Sequence, residues 1–245
     1  MEWFDCTVGI GRLDPNAPRY AKTAADLLEE FDFCGVAEGL VFHASMQVEA
    51  VQVGNRLVLE ACQRQPRLHP TWAILPFQTE ELGTLPEFLE GMKRNGVRAL
   101  RAYPDRHRYL LNGVTFGPLF EEMTARRIPL LLGPWWQLAT NLLAEFPRLV
   151  VIITRHGDWG DDRYYRPLLE RYPGFYLDTS GYQQDGAFAA HVRKYGHGRL
   201  LYGSGYPDLQ MGGAIVKLAG SSLSDEAKEA IAGGNLRRLL SEVKL

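Results

Sequence analysis

The chain is predicted to fold as a single α/β domain, a (β/α)8 barrel over residues 1–245. Short apolar runs of strand length alternate with longer helical patterns from end to end, and about eight such runs can be counted. No linker or low-complexity stretch interrupts the alternation. The length suits one barrel at least as well as two small domains, and 46% apolar residues suffice for a sizeable core.

The predicted strands cover residues 3–8, 37–42, 69–75, 97–102, 129–132, 150–154, 175–178 and 200–202. The helices between them have their own signals. Val48, Val51, Leu57, Val58 and Cys62 make an apolar stripe on a long helix from about Met46, which Gly54 weakens. Thr84 and Glu87 form a capping box around Pro86, with Leu85, Phe88, Leu89 and Met92 on one face, and Asn95-Gly96 stop that helix. Asp162 opens another, with Tyr165, Leu168, Leu169 and Tyr172 inward and Pro173-Gly174 as its end. After the last strand, Gly203-Ser204-Gly205 and Pro207 break the chain, residues 211–218 are apolar at helical spacing, and Ser224 caps a final helix. An open doubly wound sheet is the rival, but Gly9-Ile10-Gly11 is only a fragment of a phosphate turn and is followed by Pro15 and Pro18 rather than a helix.

Charge narrows the function classes. With 27 basic and 29 acidic residues the net charge is −2, so no global basic field favours nucleic acid or a membrane surface. No apolar run reaches the roughly 18 residues of a membrane span, and no leader pattern stands at Met1. Cys6, Cys34 and Cys62 are odd in number and widely spaced, which argues for a reducing, cytoplasmic setting rather than a disulfide framework.

Barrel active sites lie at the C-terminal strand ends. Those ends offer Asp5, Cys6 and Thr7; His43; Arg101 and Tyr103; Gly133 with Trp135 and Trp136; Arg155, His156 and Asp158; Asp178, Thr179 and Ser180; and Ser204, Gly205 and Asp208. Arg101 is phased inward with Ala99 and Tyr103, and strand parity places Arg155 on the same face as Val151 and Ile153. Two guanidinium forks at one mouth would hold a carboxylate or phosphate. The plainer alternative is that either arginine pairs with Asp5 or Asp178 as a structural charge. His156 suits proton transfer near neutral pH, or points outward into the helix layer and is inert. His43 has the same two readings, or caps the following helix. Asp5 could move or direct a proton, or serve as a salt-bridge partner. Trp135 and Trp136 wall a pocket, cover the barrel end or form an oligomer contact. The hydroxyl of Ser204 lies near the mouth, but no nucleophile elbow is present. The glycines at 203, 205, 212 and 213 permit phosphate binding through backbone amides, or simply close packing.

The stretch LLYGSGYP, then Leu223-Ser224-Asp225-Glu226 and Ile231-Ala232-Gly233-Gly234-Asn235-Leu236-Arg237-Arg238-Leu239-Leu240, resembles the amidohydrolase-related branch of the amidohydrolase superfamily. Gly54-Asn55-Arg56, Pro147-Arg148-Leu149-Val150 and Leu177-Asp178-Thr179-Ser180 extend the resemblance over nearly the whole chain. It implies a TIM barrel and metal-dependent hydrolysis, with decarboxylases and lactonases of carboxylated molecules among its relations. The implied ligands are a His-x-His pair, a residue on the fifth strand, a histidine on the sixth and an aspartate on the eighth. Here those positions hold Thr7, Gly9, Gly133, Arg155 and Gly205. Since zinc-like ions need three or four imidazole, thiolate or carboxylate donors, the usual metal is expected to be absent and no cofactor is expected. A relocated site would have to draw on His43, His156, Asp158 and Asp208. The resulting expectation is a metal-independent hydrolase or lyase of a small carboxylated substrate. Arg101, Arg155, Tyr103, Trp135, His43 and Ser204 would bind it, and His156 or Asp5 would move a proton. The alternatives are a noncatalytic barrel that binds a small anion or joins an assembly, and a phosphate-binding isomerase or aldolase, against which the lack of a strand-end lysine counts.

Overall fold

The structure, a computed structural model, describes the chain except residues 15, 17, 18, 158, 159 and 183–185. Pro15, Pro18 and Asp158 therefore lie outside the described residues. All strands are parallel. β1 (Trp3–Ile10), β2 (Val36–His43) and β3 (Leu68–Pro70) form one sheet. β4 (Trp72–Ala73), β5 (Leu100–Arg101), β6 (Leu130–Leu132), β7 (Val151–Ile153), β8 (Phe175–Asp178) and β9 (Leu200–Leu201) form the other.

The predicted third strand is split by one residue. Thr71 turns both its amide and its hydroxyl onto the Val41 carbonyl, at 2.9 and 2.8 Å, while the Trp72 amide already reaches Ala99 in the next sheet. One strand thus passes from sheet to sheet. At the other junction the ladder does not close. β9 and β1 are joined by Cys6 N–H to the Tyr202 carbonyl at 2.9 Å and by Gly9 N–H to the Tyr206 carbonyl at 2.9 Å. A side chain completes this seam, because the Ser204 amide donates to Asp5 Oδ1 at 3.0 Å.

Strand alternation sorts the core into two layers. Phe4, Cys6, Leu40, Ala99, Leu131, Ile152, Tyr176 and Leu201 fill the barrel, and Leu236, Leu239 and Leu240 of the terminal helix Asn235–Ser241 plug its lower end. Val8, Val41, Leu130, Leu132, Val151, Ile153 and Leu177 face outward against helix residues such as Phe31, Val58, Phe120 and Leu168.

The helix signals are realised at Leu85–Arg94, where both arms of the Thr84–Glu87 capping box are made. Ser224 likewise accepts from the Ala227 amide at 3.3 Å. The predicted long helix from Met46 is instead two, Ser45–Val48 and Val51–Cys62. A methyl at Gly54 would collide with the Met46 backbone and side chain, so Gly54 is where the first piece packs onto the second. Among the described residues no helix is long and apolar enough to cross a membrane.

Candidate functional site

A cavity of about 300 Å³ opens at the C-terminal strand ends, and Arg101 and Arg155 both line it. Arg101 ends β5 and is only 4% exposed. Its Nε donates to Thr71 Oγ1 at 2.9 Å, Nη1 to Thr7 Oγ1 at 2.9 Å and Nη2 to the Cys6 carbonyl at 3.3 Å. The guanidinium carbon lies 4.8 Å from the Phe42 ring centroid, a cation–π contact. All three acceptors are neutral. The side chain carries five N–H donors, three of which make these bonds, and the Tyr103 phenol also interacts with it. Tyr103, phased inward with Arg101 as expected, also lines the cavity. Burial pushes its phenol up while the Arg101 charge opposes the shift. Trp135 forms a further wall, its ring lying over Gly133.

Arg155 reaches the cavity by a different route from the one strand parity suggests. Val151 and Ile153 belong to the outer layer, while Val150 and Ile152 point inward and Thr154 lines the cavity. Arg155 escapes the outward phase because its backbone turns left-handed, at φ 58°. Its amide donates to Asp178 Oδ1 at 3.1 Å, and its guanidinium pairs with Asp208. Neither arginine forms an ion pair with Asp5 or Asp178.

The remaining candidates lie behind or beside the cavity. Asp5 is fully buried, and its Oδ1 accepts from the Thr7 and Ser204 amides, both at 3.0 Å. Its Oδ2 has no hydrogen-bond partner among the described residues, and burial pushes its carboxyl from 3.8 up to about 7. Asp178 is a second buried carboxylate, held by Ser180 Oγ at 2.7 Å. Burial raises it too, with His156 opposing, and its Oδ2 likewise has no partner among the described residues. The Ser204 hydroxyl accepts from the Tyr206 amide at 3.1 Å, making this residue part of the seam. His156 packs in the helix layer, with its ring centroid 5.5 Å from Tyr165 and 5.0 Å from Tyr182 and Nδ1 3.0 Å from the Gly157 carbonyl. His43 Nδ1 accepts from the Ser45 amide at 3.2 Å, the helix-capping arrangement, and burial lowers its pKa. Gly203 packs against Asp178, whose Oδ2 would lie 2.8 Å from an added Cβ.

Sequence reasoning missed Phe42, Gln47 and Thr71. Phe42 lies beside Gly9 in the β1–β2 register, and a Cβ at Gly9 would stand 2.5 Å from its ring, a cross-strand contact that the apolar run of β2 does not announce. Gln47 and Thr71 carry no sequence signal either, because a broken helix and a split strand bring them in.

The donor set at the implied metal positions does not fit a divalent ion. Thr7 Oγ1 is taken by Arg101, Phe42 occupies the space beside Gly9, Trp135 covers Gly133, and a Cβ at Gly205 would meet Leu209 Cδ1 at 3.0 Å. Among the described residues no three His, Cys, Asp or Glu side chains are grouped to hold a metal. Of the relocated set, His43 caps a helix, His156 packs in the helix layer and Asp208 pairs with Arg155.

Fold and cavity together define an α/β barrel with an arginine-lined mouth. The chain belongs to the amidohydrolase family, whose model matches residues 2–241. Solved structures agree on the fold. A dihydroxybenzoic acid decarboxylase from a Polaromonas species, with bound manganese and 2-nitroresorcinol, is 17% identical at a TM-score of 0.75, covering 98% of this chain and 97% of that one. A probable 2-pyrone-4,6-dicarboxylic acid hydrolase from Acinetobacter baumannii, with citric acid bound, is 17% identical at 0.75, covering 98% and 100%. The 5-carboxyvanillate decarboxylase of Sphingomonas paucimobilis is 15% identical at 0.71, covering 99% of each chain. A comparison with curated proteins finds no match.

Proposed function

We propose that the protein binds a small carboxylated molecule in the mouth cavity and acts on it as a metal-independent hydrolase or lyase. The observation that carries this reading is Arg101, a buried cation facing a cavity, whose acceptors among the described residues are all neutral. Such a charge is costly to bury unless an anion compensates it. Arg155 lies on the same wall, held by Asp208 until a ligand competes for it. Tyr103 and Trp135 would flank the body of the ligand, and the decarboxylase and hydrolase neighbours act on molecules of this chemical class.

A second reading, a barrel that binds the anion without turning it over, is favoured by one observation. Neither His156 nor Asp5 lines the cavity, so the groups best suited to move a proton stand away from the ligand.

Thermal shift and calorimetry with citrate, 2,6-dihydroxybenzoate and 2-pyrone-4,6-dicarboxylate test the shared part. Stabilisation that disappears in Arg101→Met supports it, and stabilisation equal in wild type and variant overturns it. Loss of substrate absorbance on incubation with the last two compounds then separates enzyme from binder.

A further inference from the structure

At the lower end of the barrel, opposite the mouth, lies a cavity of about 670 Å³. Pro173, His197 and Arg199 reach it from the segments entering β8 and β9, and Asn235 and Arg238 reach it from the terminal helix that plugs this end. It shares no lining residue with the mouth cavity. Its charge is positive. Arg199 and Arg238 line it, with Glu170 as the acidic residue among the described lining. Glu170 is already taken by Lys194 at 2.8 Å and by the Tyr195 hydroxyl at 2.9 Å. Glu242 stands 3.9 Å from Arg238, and Arg127 holds it more closely at 2.6 Å. When Lys194 and Arg127 are counted with the two lining arginines against Glu170 and Glu242, a charge of two remains.

Both arginines have donors to spare. Arg199 uses Nη1, on the Leu169 and Tyr172 carbonyls at 2.6 and 3.3 Å, where it caps the C-terminal end of the helix Asp162–Arg171. Arg238 Nη2 donates to the Gly198 carbonyl at 2.9 Å. Among the described residues Nε and Nη2 of Arg199 and Nε of Arg238 make no hydrogen bond, and Nδ1 of His197 is buried without a partner. A single carboxylate would offset half of this charge. A phosphate monoester carries about −1.5 to −2 at pH 7 and three acceptor oxygens, which matches it. Leu169, Pro173 and Tyr195 line the same cavity and offer an apolar surface to the organic part of such an ester.

We propose that this lower cavity binds a small phosphate monoester, with the phosphate on Arg199, Arg238 and the His197 imidazole and the body against Leu169, Pro173 and Tyr195. The site is separate from the mouth and does not rest on the carboxylate reading of Arg101.

Calorimetry on the full chain at fixed ionic strength, with phenyl phosphate, inorganic phosphate and benzoate, tests it. Phenyl phosphate is expected to bind wild type and Arg101→Met alike, and about tenfold more weakly to Arg238→Gln and to Arg199→Lys, which keeps the charge but loses the fork. Circular dichroism checks that each variant is folded, and Arg238, exposed and bonded to one carbonyl, is the substitution least able to disturb the barrel. Absence of phenyl phosphate binding up to about 10 mM overturns the site. Binding that is lost in Arg101→Met and kept in Arg238→Gln belongs to the mouth and overturns it as well. Inorganic phosphate binding as tightly as phenyl phosphate overturns the ester body and makes free phosphate the ligand. Benzoate binding as tightly as phenyl phosphate in Arg101→Met overturns the choice of phosphate by charge.

Discussion

Arg101 is held at 4% exposure by two threonine hydroxyls and one carbonyl, without a carboxylate partner among the described residues. Two large effects oppose each other there, the desolvation of the guanidinium and its charge-assisted hydrogen bonds. Arg101→Met is therefore expected to change unfolding free energy by less than about 2 kcal/mol in chemical denaturation, while ligand stabilisation is lost. Asp5 gives a pH prediction. Its carboxyl ionises at 3.8 in the reference state and at about 7 when folded. Between those values the unfolded chain has released the proton that the native state retains, so stability falls as pH rises through this window. The loss is up to about 4 kcal/mol and levels off above it. Asp5→Asn, which keeps an oxygen for the Thr7 and Ser204 amides, should flatten the fall in melting temperature from pH 4 to 7. Some slope should survive, because Asp178 is raised by burial in the same sense.

At the level of elements, Gly54 and Thr84 make opposite points about local signals. Thr84 does what its sequence context indicates, and Thr84→Ala should cost about 1 kcal/mol, read by urea denaturation, through loss of the cap. Gly54 looks like a helix defect when only propensity is considered, and Ala there would gain about 0.5–1 kcal/mol. The close approach of Met46 reverses the sign, because an added methyl overpacks a tight contact at about 1–3 kcal/mol. Gly54→Ala is thus expected to lower the denaturation midpoint, and a raised midpoint would refute the packing argument. Arg155, two residues beyond the end of β7, shows the same limit. Alternation puts residue 155 outward, and only the positive φ brings it to the mouth.

At the level of the whole molecule, the positions where the family resemblance implies metal ligands are filled by a guanidinium, a phenyl ring and an indole ring rather than by donors. Protein purified with zinc, manganese and iron supplied, then dialysed without chelator, should carry metal well below one equivalent by elemental analysis. Near-stoichiometric metal would overturn metal independence. The barrel order, the inward phase of Arg101 and Tyr103 and the caps at Thr84 and Ser224 were all legible in the sequence, since strand period, helix period and capping chemistry are local properties. The split at Thr71, the side-chain seam at Asp5 and Ser204, the wall made by Phe42 and Gln47 and the pairing of Arg155 with Asp208 were not. Those depend on which distant residues meet when the sheets curl together, and no periodicity encodes that. Sequence alone determined the barrel order and the presence of arginine, tyrosine and tryptophan at the strand ends. Only tertiary structure decided that Arg101 has neutral acceptors among the described residues while Asp5 and His156 lie outside the cavity lining, because burial and partnership are set by packing between strands far apart in the chain.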